Sequence, residues 1–405
     1  MTATAALLFS SIIGAHGSVL HHHGSVMHRG SVTLDVNKQV EHIIARDVAP
    51  MVSATGAGGA AVVVYIRGRT LFFNYGFADQ TKKQPITSDS LFNVGSVRKV
   101  FDAALVAQAV ERGELRLDDP VNKYVGELQG DYIRRVTIGQ LVTHTSGLLL
   151  PTDHPPWPQE HYSLSGFLDA LNAWTPKNGE EPGKQRIYSH AGYILLQLVL
   201  EHRYGRPIAE LIARDITKPL GMNSSVLPER GPDDRAILGP ELMQRTVQGY
   251  SYGGDPVGLP GNQQGYYDFP GAGQMFSSAR DLAILLAACL GDASVETGLR
   301  RALQSTRREF FRVNSQFGQA MAWEVADFSN TGIVDKPAGL DNASAYIGLV
   351  PQSKIGLVLL LNRGDVAPSE VTRTRTLPDL ARIPRTPMLA NTRQSGHVRL
   401  APKAE

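Results

Sequence analysis

The chain has 405 residues, of which 42% are hydrophobic and 19% are charged, a composition typical of a globular protein with a buried core. Its 40 Lys and Arg residues nearly balance 38 Asp and Glu residues, so the charge gives no reason to expect nucleic acid or an anionic membrane as a partner. A single cysteine, Cys289, excludes an internal disulfide and a cysteine-based zinc cluster, and no run approaches the roughly 20 apolar residues of a membrane-spanning helix.

The first 32 residues have the features of a leader. A short apolar run at residues 5–13 is followed by Ala15-His16-Gly17, a stretch that could serve as a cleavage site. The basic region that opens an export signal is missing, however, because no Lys or Arg precedes Arg29. We therefore expect residues 1–32 to be a flexible leader with a candidate export signal. The protein would then be periplasmic or secreted, and a protein that is not exported is the alternative.

Hydrophobic periodicity predicts the elements that follow. Residues 35–52 repeat apolar side chains at helical spacing. Residues 60–66 and 70–77 are β-rich runs joined by Arg67-Gly68-Arg69, which predicts a hairpin. Residues 97–112 are again helical in pattern and stop at Gly113, a residue suited to a helix C-cap. From about residue 100 to residue 300 the chain alternates helical segments with loops rich in proline and glycine.

Strand patterns return at residues 317–325, 343–350 and 354–362, the last two joined by a turn at Pro351-Gln352-Ser353. We therefore predict an α/β fold of the α+β type, an antiparallel sheet flanked by helices and built from both chain ends (residues 33–92 and 310–362), with a mainly helical part (93–309) inserted. The active site would lie in the groove between these two parts. Residues 363–405 contain five prolines and no helical period, which predicts an irregular tail.

Ser96 and Lys99 form the first candidate site. A serine hydroxyl is a weak nucleophile until a base accepts its proton. Residues three apart on a helix share a face, so Lys99 can reach the Ser96 hydroxyl. A place at the start of a helix would also favour developing negative charge. Alone, Ser-x-x-Lys is common, and a capping serine with a solvent-facing lysine explains it better.

The surroundings of this pair change that interpretation. A series of motifs in one order resembles the serine β-lactamase and penicillin-binding-protein-like family, closest to class C β-lactamases, a branch that includes related esterases and DD-peptidases. The resemblance runs from about residue 35 to residue 362 and implies a β-lactamase/transpeptidase-like fold. It rests on Phe92-Asn93-Val94-Gly95-Ser96-Val97-Arg98-Lys99, Leu117-Asp118-Asp119-Pro120, Leu141-Val142-Thr143-His144-Thr145-Ser146-Gly147, Tyr188-Ser189-His190 and Pro219-Leu220-Gly221-Met222.

The family reads Tyr-x-Asn where this chain has Tyr188-Ser189-His190. The resemblance implies that the Tyr188 oxygen lies beside Ser96. A phenol near two lysines can accept the serine proton there, pass it to the leaving nitrogen and later activate water. His190 replaces the asparagine whose amide would contact the substrate's side-chain amide, and an imidazole would add sensitivity to pH. His144, in contrast, is expected to support the fold.

Residues 334–346 align without gaps on the family's Lys-Thr-Gly strand, so Lys336 is the lysine expected to attract the substrate carboxylate. Pro337 and Ala338 stand where the family has Thr and Gly, and the lost hydroxyl removes a hydrogen bond worth about 1–3 kcal/mol. Proline is tolerated in an edge strand, and the family places this strand at the edge of the groove. The N–H groups of Ser96 and Gly339 would form the oxyanion hole, and His190, Lys336 and Ala338 would bind substrate.

These residues together predict a hydrolase that forms a serine acyl-enzyme, with Ser96, Lys99, Tyr188 and Lys336 as the catalytic set and a β-lactam as the small-molecule substrate. We expect no metal or organic cofactor, no nucleic-acid partner, no membrane span and a monomer. A carboxylesterase or a DD-peptidase on the same scaffold would use the same residues, and Pro337 and His190 favour the esterase. A non-catalytic binding protein is a further alternative, against which the intact set argues.

Overall fold

A computed structural model describes residues 29–53, 56–150, 163–176, 181–263, 274–327, 330–364 and 366–385. Its centre is a nine-stranded antiparallel sheet in the order β3-β2-β1-β11-β10-β9-β8-β7-β6. These strands are β1 (Gly59–Ile66), β2 (Arg69–Asp79), β3 (Gln84–Pro85), β6 (Phe311–Asn314), β7 (Phe317–Gln319), β8 (Glu324–Ala326), β9 (Ile333–Leu340), β10 (Ala343–Val350) and β11 (Ile355–Leu361). A separate two-stranded ladder joins β4 (Leu91–Asn93) to β5 (Phe276–Ser278).

Helices cover both faces of the sheet, and most of them lie in chain order between β3 and β6. They are α1 (Arg29–Ser53), α2 (Arg98–Glu111), α3 (Ile138–Val142), α4 (Leu164–Ala173), α5 (His190–Tyr204), α6 (Ile208–Ile212), α7 (Lys218–Leu220), α8 (Pro240–Gln244), α9 (Ala279–Cys289), α10 (Thr297–Ser305), α11 (Pro368–Val371) and α12 (Leu377–Arg382). Within the described ranges, none of them combines the length and the apolar composition needed to cross a bilayer.

The strands at the centre of the sheet are buried on both faces because each face has its own helical layer. Alternate residues of β1 enter different cores, as the two-residue period of a strand requires. Ala61 and Val63 belong to the large core that includes α2, α5 and α9, whereas Val62 and Val64 belong to the core shared with α1 and α12. The predicted sheet built from both chain ends is confirmed, since β1 pairs with β11 along its length.

Two predicted elements differ in the structure. The strand predicted at residues 317–325 is two strands, β7 and β8, because the chain reverses at Ala322, whose φ is +62°. The prediction of an irregular tail is also wrong for residues 368–382, which form α11, a π-helical turn (Thr372–Thr376) and α12. The prolines were taken as evidence against helices, but Pro368 and Pro378 lie in the first turn of their helices, where proline is tolerated.

The C-terminal helices cover one face of the sheet, for which the sequence analysis predicted only an irregular tail. Leu377, Leu380 and Ile383 are buried in the core that α12 shares with α1 and β11. Thr376 Oγ1 donates to the Asp47 carboxylate at 2.7 Å, which ties this segment to α1. At the other end, α1 begins at Arg29, inside the leader predicted for residues 1–32. The candidate export signal and residues 386–405 lie outside the described residues.

Candidate active site

The candidate nucleophile lies where β4 ends and α2 is about to begin. A 3₁₀ turn (Gly95–Val97) connects them, and Gly95 adopts a φ of +50°. A Cβ at Gly95 would lie 3.4 Å from Ala338 Cβ, so the turn packs closely against β9. The Asn93 side-chain oxygen accepts from the Gly95 N–H at 3.1 Å and holds the turn in shape. This packing places Ser96 next to the strand that carries Lys336.

The structure brings Ser96, Lys99 and Tyr188 into hydrogen-bond contact. The Ser96 hydroxyl lies 2.7 Å from the Tyr188 hydroxyl and accepts from Lys99 Nζ at 3.1 Å. Lys99 is fully buried, and burial together with the nearby charge of Lys336 lowers its pKa below the usual value. A lysine whose neutral form is favoured in this way is more often unprotonated and so available to act as a general base.

Tyr188 is held on a loop directly before α5. Ser189 caps that helix, its hydroxyl accepting from the Gly192 N–H at 2.9 Å. Lys336 Nζ lies 4.7 Å from the centre of the Tyr188 ring, and the His190 ring meets it edge-on at 5.4 Å. The phenol therefore lies among Ser96 and two lysines, as predicted from the sequence.

Lys336 is buried on β9 among charges of both signs. Burial lowers the pKa of Lys336 to about 8; Glu324 opposes this shift and Arg186 adds to it. Arg186 donates to Glu324 at 2.7 Å. From the C-terminal segment, Arg373 donates to both oxygens of Asp335 at 2.6 Å. The lysine is thus surrounded by a network of buried ion pairs.

Sequence reasoning missed this network. Arg186 stands two residues before Tyr188 in an extended segment and so shares its side of the chain, a signal that was available. Glu324, an acidic residue in a strand pattern, was a weaker signal. There was no such signal for Arg373, because this residue lies in the segment predicted to be irregular.

A second buried ion pair lies behind Lys99 on α2. Arg98 Nε is 3.4 Å from Asp102 Oδ2, and the side chains are 0% and 1% exposed. Arg98 also donates to Gln197 on α5 at 2.7 Å. Asp102 is one helical turn from Lys99, so Lys99 and this pair share one buried environment.

Pro337 is accommodated although β9 is an interior strand of the sheet. Only residues 333–335 of β9 pair with β8, so the rest of β9 has no strand partner on that side within the described part of the chain. Since N–H directions alternate along a strand, the Gly339 N–H shares the side of the Pro337 nitrogen, away from β10. The expectation of an edge position holds for this segment alone, and the oxyanion-hole candidate Gly339 faces the open side.

These residues line a cleft of about 450 Å³. The predicted residues at its surface are Ser96, Tyr188, His190, Lys336, Ala338 and Gly339, and Lys99 lies buried beneath them. The cleft is also lined by Glu324, Pro337, Val366, Ala367, Pro368 and Ser369. Among the residues that the structure describes, no three His, Cys, Asp or Glu side chains are grouped to hold a metal ion. The arrangement of hydroxyl, amine and phenol suits activation of a serine nucleophile.

Comparison with known proteins identifies a family and relatives for this chain. The Beta-lactamase family model matches residues 44–381. A β-lactamase of Pseudomonas fluorescens is 27% identical over 356 residues, spanning 80% of this chain and 94% of that protein. A β-lactamase of Escherichia coli (strain K12) is 25% identical over 371 residues, spanning 84% and 93%.

Solved structures show the same relationship. A class C β-lactamase matches with a TM-score of 0.72 at 25% identity, covering 88% of this chain and 98% of that chain. The D-alanine carboxypeptidase AmpC from Burkholderia cenocepacia shares the fold, with a TM-score of 0.70 at 24% identity and coverage of 84% and 99%. The range matched by the family model contains Ser96, Lys99, Tyr188 and Lys336. The chain therefore belongs to the β-lactamase family, with class C β-lactamases among its structural neighbours.

Proposed function

We propose that this hydrolase opens the amide bond of β-lactams through an acyl-enzyme on Ser96. The observation that carries the proposal is the position of the Ser96 hydroxyl, within hydrogen-bond distance of both Lys99 Nζ and the Tyr188 hydroxyl at the cleft surface. Curated relatives named β-lactamase support the substrate class. We also propose that the protein is exported to the periplasm or secreted, as the apolar run at residues 5–13 suggests.

In the proposed reaction, Ser96 Oγ attacks the lactam carbonyl while its proton passes to Tyr188 or Lys99. The N–H groups of Ser96 and Gly339 stabilise the oxyanion, and Lys336 attracts the substrate carboxylate. The C–N bond then breaks, and the ring nitrogen takes up the proton that left Ser96, delivered by Tyr188. A water molecule then gives one proton to Tyr188 as it attacks the carbonyl of the Ser96 ester. The bond from that carbon to Ser96 Oγ breaks, Tyr188 returns the proton to Oγ, and the acid leaves with the serine hydroxyl restored.

A carboxylesterase is the second candidate because the anion-binding part of the cleft is weak. Pro337 and Ala338 offer no hydroxyl beside Lys336, and Val366 and Ala367 add an apolar wall. Such a cleft suits an uncharged leaving group. A DD-peptidase would differ in releasing its acyl group slowly, and a non-catalytic binding protein would not need the hydrogen bonds around Ser96.

The test compares three substrates: a chromogenic cephalosporin, a short-chain nitrophenyl ester and a D-Ala-D-Ala peptide. We expect cephalosporin turnover that is lost in Ser96→Ala and unchanged in Ser305→Ala, a remote serine of α10. Mass spectrometry should show the acyl adduct on the wild-type protein and on Ser305→Ala, but not on Ser96→Ala. Ester cleavage without lactam turnover would replace the proposal with an esterase. Full activity in Ser96→Ala would refute the nucleophile itself.

A further inference from the structure

His144 holds the catalytic tyrosine from three directions. Its imidazole stacks on the Tyr188 ring, with centroids 4.4 Å apart and an interplanar angle of 32°. Its carbonyl oxygen accepts from the Ile187 N–H at 2.8 Å, and its Nδ1 accepts from the Ser189 N–H at 3.2 Å. The residues on both sides of Tyr188 are therefore bonded to the same histidine that contacts the tyrosine ring.

The backbone and the packing hold His144 itself in one place. It is 1% exposed and adopts a φ of +55°, a left-handed conformation that few residues other than glycine, Asn, Asp and His adopt readily. Its ring also stacks on Tyr193, with centroids 4.9 Å apart, and Tyr193 donates its own hydroxyl to the Val142 carbonyl at 2.8 Å. The imidazole therefore has little freedom to rotate away from Tyr188.

The hydrogen bond also determines the protonation state of the ring. A backbone N–H can only donate, so Nδ1 must be unprotonated and the neutral ring carries its proton on Nε2. Burial and the positive charges of Lys336, Lys99 and Arg186 hold the pKa of His144 well below its usual value, and His190 acts in the same direction. The lowered pKa therefore favours the neutral ring that the contact with Ser189 requires.

We propose that His144 is a positioning residue that keeps the Tyr188 hydroxyl 2.7 Å from Ser96. The sequence predicted only a supporting role in the fold. The inference rests on the proposed role of Tyr188, but it does not depend on which substrate the enzyme hydrolyses. Because a misplaced catalytic group lowers the rate of the chemical step, His144 should affect kcat far more than KM.

The test uses a reagent that needs only the activated serine. A small fluorophosphonate reacts when Ser96 Oγ bonds to phosphorus, fluoride leaves and the serine proton passes to Tyr188 or Lys99. Its labelling rate is measured by mass spectrometry for His144→Ala, His144→Phe and His144→Asn. Phenylalanine keeps the stacking, and asparagine keeps an acceptor while tolerating the positive φ. His202→Ala, an exposed histidine of α5, is the matched control.

We expect His144→Ala to label on the order of 10²-fold more slowly, His144→Phe and His144→Asn to lose less, and His202→Ala to match the wild type. Tyr188→Phe should also be slow, and adding His144→Ala to it should change the rate less than threefold, since His144 acts through Tyr188. The proposal is overturned if folded His144→Ala protein labels at the wild-type rate. It is also overturned if the rate loss of the double variant equals the product of the losses caused by His144→Ala and Tyr188→Phe separately. Failure of β-lactam turnover with normal labelling would refute only the proposed substrate.

Discussion

Raising the pH should weaken the binding of carboxylate-bearing substrates because Lys336 loses its charge. Burial lowers the pKa of this lysine from 10.5 to about 8, so it is a cation at pH 7 and becomes neutral at higher pH. The neutral amine keeps a hydrogen-bond donor but no longer attracts an anion. The direction follows from the lowered pKa, since an ordinary lysine would stay charged throughout this range.

The magnitude follows from the fraction of enzyme that is competent to bind. With a pKa of about 8, roughly nine-tenths of Lys336 is charged at pH 7 and roughly one-tenth at pH 9. The apparent dissociation constant rises in inverse proportion to the competent fraction. The KM of an anionic lactam should therefore rise by about tenfold between pH 7 and pH 9, provided that it reports binding.

The assay is the KM of a cephalosporin divided by that of a neutral nitrophenyl ester, measured from pH 6.5 to pH 9.5. The ratio removes any effect of pH on the activation of Ser96, because that effect acts on both substrates. Lys336→Arg is the control, because a guanidinium stays charged and should make the ratio independent of pH. A ratio that stays flat in the wild-type protein would show that Lys336 does not bind the carboxylate.

Three further predictions concern the buried charges and the proline. Asp102→Ala leaves Arg98 buried without its ion-pair partner and should cost about 3–5 kcal/mol of the free energy of unfolding, lowering Tm by roughly 4–6 °C. Thermal melts should show that Arg98→Met with Asp102→Leu recovers most of this loss, and equal melts of the single and double variants would contradict it. Arg373→Met should cost a similar amount, about 3–5 kcal/mol in a denaturant titration, because Asp335 loses both of its bonds to the guanidinium; an unchanged midpoint would count against that role. Pro337→Thr should raise kcat/KM for an anionic lactam by about tenfold through one added hydrogen bond, while leaving the ester unchanged, and an equal gain for both substrates would refute this reason.

The parts of the site that could be predicted are those that local spacing or a family motif determines. Helical spacing predicts that Lys99 can reach Ser96. The choice of this pair as a site depends on the family resemblance, as does the choice of Tyr188 and Lys336. The network around Lys336 depends instead on contacts between distant segments. Arg373 reaches Asp335 only because the C-terminal segment folds back over the sheet, and no pattern within that segment specifies its partner.

The fold shows the same division between local and distant information. The alternation in β1 and the apolar pattern of α2 specify those elements, so both were predicted within a few residues. The prediction for residues 368–382 failed because proline was taken as a helix breaker, although it fits the first turn of a helix. His144 was assigned to the fold because its contacts with Ile187 and Ser189 appear only once the loop before α5 packs against it.

The pairing of β1 with β11 has a consequence for how the protein is made. Residue Ala60 lies beside Leu361 in the central ladder, so the middle of the sheet cannot close until the chain has been synthesised as far as Leu361. Such distant pairing slows folding, because a long loop must close before any contact rewards it. A nascent chain therefore carries Ser96 long before β9 has a neighbour to hold Lys336 in place. We expect the site around Ser96 to form only after the segment through β11 has left the ribosome.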